Sequence, residues 1–582
     1  MLIAHRLKLL PLVFLLPLFA ACSDSKEEAT DAAQEVLASE DTILRYVPAD
    51  TPYVFAATKP IPDDLREKFA PHVQAIVLSY KSLMQAALNQ TSDDPDQPPP
   101  MSEETRQRVS TVIDELAAMI TVDGIPEAGI DRNSTSAVYG VGLLPVVRIT
   151  LSDGALFEKA LAKLETRAGK KMETATLDDH TYHYAGDEKG RLIAAAIDDH
   201  LVLTFVPANL PEEHLKSVLG ITLPESNIAE SGALTELSKK YGYTPYGLGF
   251  MDFTRIVNTF IDDPSGVNGE LLSMMDYDPS TLTDVCKTEI RAMSGIVPRF
   301  VTGYTDLSAE HMTSNSVFEV RSDLATGLKA LTAPVPGLGA ARGGLMSFGM
   351  SLNMLAAREF YAARLDALEA NPYQCELFAD LQEGVAKGRE VLNQPVPPIV
   401  YGFRGFLAVI DDIQGMDIQN KQPPTAIDMR FLVATDNAEG LLAMGAMFSP
   451  QIASLNLQPD SKPVKLEVPA MASTVDAAYV AMSENALALS VGTGSESGLG
   501  AMLGAGATEP PPFMSMNMDA ARYYGFIGDA MAVGDGEAQS PETAKAMSDV
   551  MNSLGQLFSR ISFDVHFTDR GIEIPSDIEL AD

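Results

Sequence analysis

Residues 138–149 read VYGVGLLPVVRI, and residues 400–411 read VYGFRGFLAVID. The two align from VYG onward, and they do not recur alone. Downstream of the first, Ser152-Asp153-Gly154-Ala155 opens LFEKALAKLE; downstream of the second, Thr435-Asp436-Asn437-Ala438 opens EGLLAMGAM. In both, an Asp ends a β-like run where a helix N-cap belongs. Asp153 and Asp436 are therefore expected to accept hydrogen bonds from the free amides of a first helical turn.

Paired hairpins come next, IAAAIDDHLVLTFV from Ile193 and AYVAMSENALALSV from Ala478. A three-residue loop closing on a left-handed residue is expected in each, with His200 and Asn485 in that place. MDFTRIVNTFIDD from Met251 then matches MDAARYYGFIGDA from Met518, aligning Asp252 with Asp519 and Arg255 with Arg522. NMLAAREF from Asn353 and, more weakly, YVFAATKPIPDDLREKF from Tyr53 repeat the same strand-then-helix unit. VTGYTDLSAEHMTSNSVFEV from Val301 and ISFDVHFTDRGIEIPSDIEL from Ile561 close the series.

One chance similarity is easy, whereas several in the same order are not. The chain reads as two tandem copies, residues 44–322 and 323–582, each mixing antiparallel strands with helices, which is class α+β. LTAPVPGLGAARGG (331–344), rich in Gly and Pro, reads as the junction. NQTSDDPDQPPP (89–100), IQNKQPPTA (418–426) and GDGEAQSPE (534–542) read as loops, the first before a helix capped at Ser102.

The chain begins MLIAHRLK, basic at Arg6 and Lys8, and Leu9 to Leu18 is apolar but too short for the roughly 20 residues that span a bilayer. Residues 1–21 are expected to be a signal peptide. Phe19-Ala20-Ala21-Cys22 resembles the lipobox of bacterial lipoproteins. That resemblance implies cleavage before Cys22, lipid on its thiol and firm anchoring by several acyl chains, palmitate among them. The residue after the cysteine is Ser23 rather than the Asp that commonly retains such proteins at the inner membrane. The implied location is the outer membrane, on its periplasmic face. Residues 22–43 read as the lipidated cysteine and an acidic tether.

The net charge is −37, and loss of residues 1–21 removes Arg6 and Lys8 but no acid. Such a surface repels phosphate backbones, which argues against nucleic acid as a partner. With 46% hydrophobic residues the chain still has ample material for packed cores. Beyond Cys22 the only cysteines are Cys286 and Cys375. An oxidising periplasm favours their pairing as a disulfide between the copies; two buried free thiols are the alternative.

No cofactor, metal or catalytic motif emerges. DDHTYHY (178–184) is the densest polar cluster, with Asp178, Asp179, His180 and His183. On a strand the two histidines would point to opposite faces, so a solvated strand edge is the simpler reading. FMSMNMD (513–519) aligns Met514, Met516 and Met518 on one face if extended. Thioethers can bind Cu(I), but the related FGMSLNM places Met350, Leu352 and Met354 at those positions, and Leu coordinates nothing; a packed core face is expected. Asp252/Arg255 and Asp519/Arg522 read as N-caps with a nearby Arg rather than ligand contacts. His72, His214, His311 and His566 stand alone. The Gly-rich GLGAARGG (337–344) and GLGAMLGAG (498–506) fit no phosphate-binding fingerprint.

YVPADTPYVFA (46–56), GIDRNSTSAVYGVGLLPVVRITLSD (129–153) and the surroundings of the cysteines, DVCKTEI and YQCELFADL, resemble a class of uncharacterised Gram-negative envelope lipoproteins. The resemblance covers most of the mature chain and implies fold and location but no activity. Three functions follow as expectations. The first is a non-catalytic binding or scaffold lipoprotein with an envelope protein as partner. The second is a carrier of lipid or another hydrophobic ligand, with LVLTFV and ALALSV among its lining. The third is an envelope hydrolase whose site assembles only in space.

Overall fold

The computed structural model describes residues 36–39, 42–89, 102–262, 264–340, 343–415, 424–448, 452, 454–466, 477–532 and 541–581. Residues 1–21, read as a signal peptide, Cys22 and most of the acidic segment lie outside these residues, as do 90–100, 418–423 and 534–540 of the three loops.

Ten strands come from the N-terminal half: β1 Tyr53–Ala57, β2 Ser136–Val141, β3 Leu144–Thr150, β4 Glu173–Leu177, β5 His180–Gly186, β6 Gly190–Ile197, β7 His200–Pro207, β8 Leu248–Asp252, β9 Arg299–Leu307 and β10 His311–Glu319. Nine follow: β11 Met346–Ser351, β12 Phe403–Gln414, β13 Ala426–Thr435, β14 Val464–Leu466, β15 Ala478–Met482, β16 Ala486–Val491, β17 Met514–Asp519, β18 Phe558–Thr568 and β19 Gly571–Leu580. The helices of eight residues or more are α1 Asp63–Asn89, α2 Glu103–Met119, α3 Gly154–Ala168, α4 Glu212–Leu219, α5 Ala233–Tyr241, α6 Phe253–Ile261, α7 Gly266–Met274, α8 Asp284–Ser294 and α9 Ser322–Lys329. They continue with α10 Met354–Ala370, α11 Ala379–Asn393, α12 Ala438–Phe448, α13 Ala520–Ala532 and α14 Pro541–Leu557.

All 19 strands among the described residues join one antiparallel sheet. Its order is β4-β5-β6-β7-β3-β2-β1-β8-β9-β10-β19-β18-β17-β11-β12-β13-β16-β15-β14. The fold is α+β. Inward from β5 and inward from β14, the two halves lay down their strands in the same chain order. They meet where β10 pairs with β19, from His311↔Glu579 to Glu319↔Gly571.

Each half has its own core on one face of the sheet. In the N-terminal half Val54, Tyr139, Val146, Phe250 and Val301 pack under α4, α5 and the segment around Leu37 to Val47. In the C-terminal half Leu407, Val409, Leu432, Ala434 and Ala488 pack against Val335, Leu338 and the helical turn at Leu499 to Leu503. Two readings are thereby revised. Leu37 and Ile43, assigned to the tether, are buried in the first core, and Val335 and Leu338, assigned to a junction, are about as buried as any residue of the second. Apolar side chains in the acidic stretch and in the Pro- and Gly-rich one alike pack both into the cores.

Helices link the halves on the opposite face. α1 packs along α14, and α14 along α13. Leu65 and Phe69 of α1 share a cluster with Leu307 and Met312 on one side of the seam and Leu557 and Leu580 on the other. In the reverse direction Cys286 of α8 is bonded to Cys375, between α10 and α11. Glu289 of α8 accepts from the amides of Gln374 and Cys375 at 2.9 and 3.0 Å.

Local details confirm some expectations and correct others. Ser102 caps α2 through the amide of Thr105 at 3.2 Å, and Asp153 caps α3 through that of Ala155 at 2.7 Å. Asp436 does not cap: it pairs with Arg404, and Asn437 accepts from the amide of Gly440 at 2.8 Å instead. The VYG stretches also diverge. The first makes a two-residue hairpin in which Gly142 has φ 56 and an added Cβ would lie 2.3 Å from Oδ1 of Asn268. The second ends a helical turn and enters the single long strand β12. His200 is not the left-handed residue of its loop. Ile197 pairs directly with His200, and Asp198 takes φ 50, because a short carboxylate tolerates that region better than an imidazole that must pack.

Candidate functional site

The two faces of the sheet differ in closure. Side chains alternate along a strand and directly paired residues share a face. One row therefore runs Tyr304–Ser314–Ser576–Phe563–Met516–Phe348–Ala408–Phe431–Leu489–Val480 across the seam and the C-terminal half. On the N-terminal side of the same face lie the rows Val138–Phe55–Gly249–Thr302–Ser316–Ile574 and Met251–Phe300–Phe318–Ile572. No Asp, Glu, Lys or Arg occurs in these rows. The charges carried by the same strands, such as Arg299, Glu319 and Glu573, fall on the opposite face.

On β18 and β19 the opposite face is polar and half-exposed, with Pro575 exposed, but within each half it is closed, with Val54, Tyr139, Val301, Val317 and Leu432 wholly buried. This face is not. β11 alternates half-buried and buried, with Met346, Phe348 and Met350 half-buried, and Phe406, Ala408 and Ile410 of β12 repeat the pattern. Three patches are covered. Phe157 and Leu161 of α3 lie on Ala194 and Leu201, α12 with Ala438 lies on Met482, and α1 with the end of α14 lies on Leu307 and Met312. Between the patches large apolar side chains on central strands keep partial exposure. An apolar surface left open at the middle of a sheet is a place where something binds. At the seam its only polar groups are hydroxyls, with Thr302 and Ser316 hydrogen-bonded to each other at 2.8 Å.

Met514, Met516 and Met518, read as a packed core face, belong here, and only Met518 is buried. Their neighbours are Met350, Phe348 and Met346 of β11 and Val565, Phe563 and Ile561 of β18. Leu352 and Met354 do not share the face as expected, because β11 ends at Ser351 and Met354 opens α10.

The other sequence candidates serve the fold. His180 and His183 open β5 and its middle, on opposite faces, and His183 pairs with Glu158 of α3 at 2.8 Å. β5 is not an edge as expected, since β4 and β6 flank it. Asp178 accepts from Lys216 at 2.9 Å. No group of three His, Cys, Asp or Glu with metal-ligand spacing occurs among the described residues. Asp252 and Asp519 cap α6 and α13 through the amides of Arg255 and Arg522 at 2.9 and 3.0 Å. The arginines diverge: Arg255 reaches the carbonyl of Thr51, and Arg522 the carboxylate of Asp412.

Two buried polar clusters escaped the sequence reading. Arg148 is fully buried, with its guanidinium 3.7 Å from the centre of the Tyr46 ring. It donates to the Leu219 carbonyl at 2.6 Å and leaves Nη1 without a partner among the described residues. The signal was a lone charge inside the apolar run VVRI. Burial and then the nearby guanidinium groups of Arg148 and Arg45 push His200 down to about 4, so it is neutral at pH 7. The second cluster bridges the seam. Glu319 accepts from Arg299 and Lys240 at 2.8 and 2.7 Å and from Tyr241, while Arg570 holds Glu573 and donates to the Lys240 carbonyl at 3.1 Å.

No family model matches the chain, and no curated protein and no solved structure matches it either. No described helix is long and apolar enough to cross a membrane.

Proposed function

We propose that this protein is an envelope lipoprotein that works by binding rather than catalysis, and that its ligand is apolar and lipid-like. Lipid on Cys22 would hold it to the outer membrane with the body in the periplasm. The observation that carries the ligand is the half-open, charge-free face shared by Met346, Phe348, Met516, Phe563 and Phe431. A core that needed only stability would be closed there, as it is on the other side of β11, where Ser347 and Ser351 are buried. Methionine suits such a surface because its flexible thioether adapts to irregular chains.

The two-copy reading of residues 44–322 and 323–582 belongs to the same proposal. It is supported by the strand order and by the β10–β19 pairing, in which Asn315 lies opposite Pro575. The aligned hairpins place those two residues at equivalent positions, as a local two-fold axis requires.

The test is to export the mature chain with Cys22→Ser behind an ordinary cleavable signal and purify it without detergent. Native and solvent-extracted mass spectra should then show a stoichiometric lipid or lipid-like molecule. A mass free of ligand, together with no uptake of a fluorescent apolar probe, would refute the carrier reading.

A protein partner is the second reading. It is favoured by Leu355, Tyr361, Leu377, Leu381 and Val391, all strongly exposed on α10, α11 and the turn between them. Crosslinking in cells followed by capture should recover one envelope protein, lost when Tyr361 and Leu377 are both changed to Ser. Recovery of nothing above background would refute it.

A further inference from the structure

We infer that residues 42–47 form a pH-sensitive strap, closed on the first core while His200 is uncharged and opened when acid protonates that imidazole. The strap goes beyond the binding role proposed above. Only its use as part of a tether rests on the lipoprotein reading.

The strap is placed to move by itself. It lies upstream of β1, and none of its residues belongs to a strand. Its backbone bonds are largely internal, from the Arg45 amide to the Thr42 carbonyl at 3.2 Å and from the Val47 amide to the Leu44 carbonyl at 3.1 Å. It reaches the body at its downstream end, where the Val47 carbonyl accepts from Ile228 at 2.9 Å. What closes it is the burial of Ile43, Leu44, Tyr46 and Val47 in the core. Opening it therefore breaks no pairing between strands of the sheet.

Tyr46 is the fastening, and positive charge crowds its ring. The Arg148 guanidinium from β3 lies 3.7 Å from the ring centre, and that of Arg45 4.7 Å away. His200, opening β7, packs edge to face with the same ring at 5.2 Å. The Tyr46 hydroxyl accepts from Arg45 at 2.6 Å and donates to Asp198 at 3.2 Å, and Tyr139 of β2 accepts from Arg148 behind it. A neutral imidazole completes this cluster, whereas an imidazolium adds a third cation to it.

His200 is poorly placed to carry charge. Its Nδ1 is buried and has no hydrogen-bond partner among the described residues, so a proton there would find no acceptor. Burial opposes the charge most, followed by Arg148 and Arg45. Asp199 and Asp198, in the turn before it, favour the charge but do not outweigh them, and Asp198 is already shared by Tyr46 and Arg45. The imidazole is held down to about 4 from an ordinary 6.5. The folded value is the lower one. Its support for the closed strap is therefore complete above about pH 6.5 and is lost as pH falls toward 4. The aligned hairpin of the C-terminal half carries Asn485 in this place, which does not titrate. On the lipoprotein reading, an open strap would add six residues, about 20 Å of chain, to the tether.

The experiment follows hydrogen exchange by mass in the mature chain with Cys22→Ser at pH 7 and pH 5, corrected for the pH dependence of exchange itself. The opening equilibrium of peptides covering residues 42–49 should rise about twentyfold from pH 7 to pH 5, the ratio set by the two values for His200. Peptides of β18 and β19 should not change. His200→Phe, which keeps a ring against Tyr46, and His200→Asn, the residue of the other hairpin, should each hold the rise below about twofold. Circular dichroism and the intact disulfide mass show that the variants are folded. No rise in the wild type would overturn the inference, and so would the same rise in both variants. An equal rise in β18 and β19 would overturn it too, because the whole molecule would then be opening. None of these results depends on lipid at Cys22, so failure here leaves the lipoprotein and carrier readings standing.

Discussion

Arg148 shows what a single residue costs and supplies in this core. A buried guanidinium without a carboxylate is expensive, and among the described residues the Tyr46 ring, the Tyr139 hydroxyl at 3.4 Å and the Leu219 carbonyl offset it. Arg148→Ala leaves a cavity and orphans both acceptors, so it should lower stability by about 2–5 kcal/mol in urea titrations followed by circular dichroism. Arg148→Met fills the space and removes the charge, and should cost clearly less; equal losses would show that the charge itself is needed. Gly220 sets the limit on this arrangement, because a Cβ there would lie 2.2 Å from the guanidinium in a backbone with φ 76. Glu319 supplies a pH dependence. Burial opposes its ionisation, but hydrogen bonds from Arg299, Lys240 and Tyr241 outweigh burial and hold it down to about 2. Its folded value lies below its unfolded one. Its contribution, about 3 kcal/mol at most, is therefore complete above about pH 4.5 and lost as pH falls through about 2. Glu319→Gln should flatten the decline in urea midpoint between pH 5 and 2; an unchanged decline would assign it to other carboxylates.

Helices and turns carry the parts of the fold that were legible in the chain. Asp153, Asp252, Asp519 and Ser102 announced helix starts because a cap is a local device, made by one side chain and an amide two or three residues on. Asp252→Ala should cost about 1 kcal/mol and Asp252→Asn only a few tenths, since an amide oxygen accepts the same bond. Where the outcome depended on a distant group, the reading failed. Asp436 looked like a cap, but Arg404 claims its carboxylate and the cap moves to Asn437. His200 looked like a turn residue, but its ring packs edge-on against Tyr46 at 5.2 Å, which requires it to be in the strand. The disulfide is a link between elements of the two halves. It closes 89 residues of chain, and Cys286→Ser with Cys375→Ser should lower stability by about 4 kcal/mol in the chain-entropy picture. Hydrogen exchange should quicken first in α8 and around Gln374, where Glu289 depends on the bond for its position. Unchanged exchange there would mean that packing alone holds α10 and α11 to the N-terminal half.

The apolar face exists only at the scale of the whole sheet, which is why no stretch of sequence displays it. MSFGMS and MSMNMD each look like ordinary half-apolar strands. What makes them a surface is that Phe348 lies beside Met516, Met516 beside Phe563 and Phe563 beside Ser576, pairs separated by 13 to 168 residues. The repeats in the chain read as two tandem copies, and that reading holds no sign that the two halves share one sheet, since edge pairing of β10 with β19 leaves no local signal. That shared sheet has a thermodynamic consequence. Two domains joined by a linker unfold separately, but here the backbone ladder, the cluster of Leu65 and Phe69 with Leu557 and Leu580, and the ionic seam of Lys240, Glu319 and Arg570 all cross between the halves. Losing either half exposes apolar surface and orphans hydrogen bonds in the other. The protein should therefore melt in one calorimetric transition despite its length, with the calorimetric enthalpy close to the van't Hoff value. Leu65→Ala, in a helix of the N-terminal half, should lower that one transition by the equivalent of about 2–5 kcal/mol, and protection in β18 and β19 should fall with it. Two separated transitions, with only the N-terminal one moved by Leu65→Ala, would mean that the halves merely touch and that the face between them is not one site.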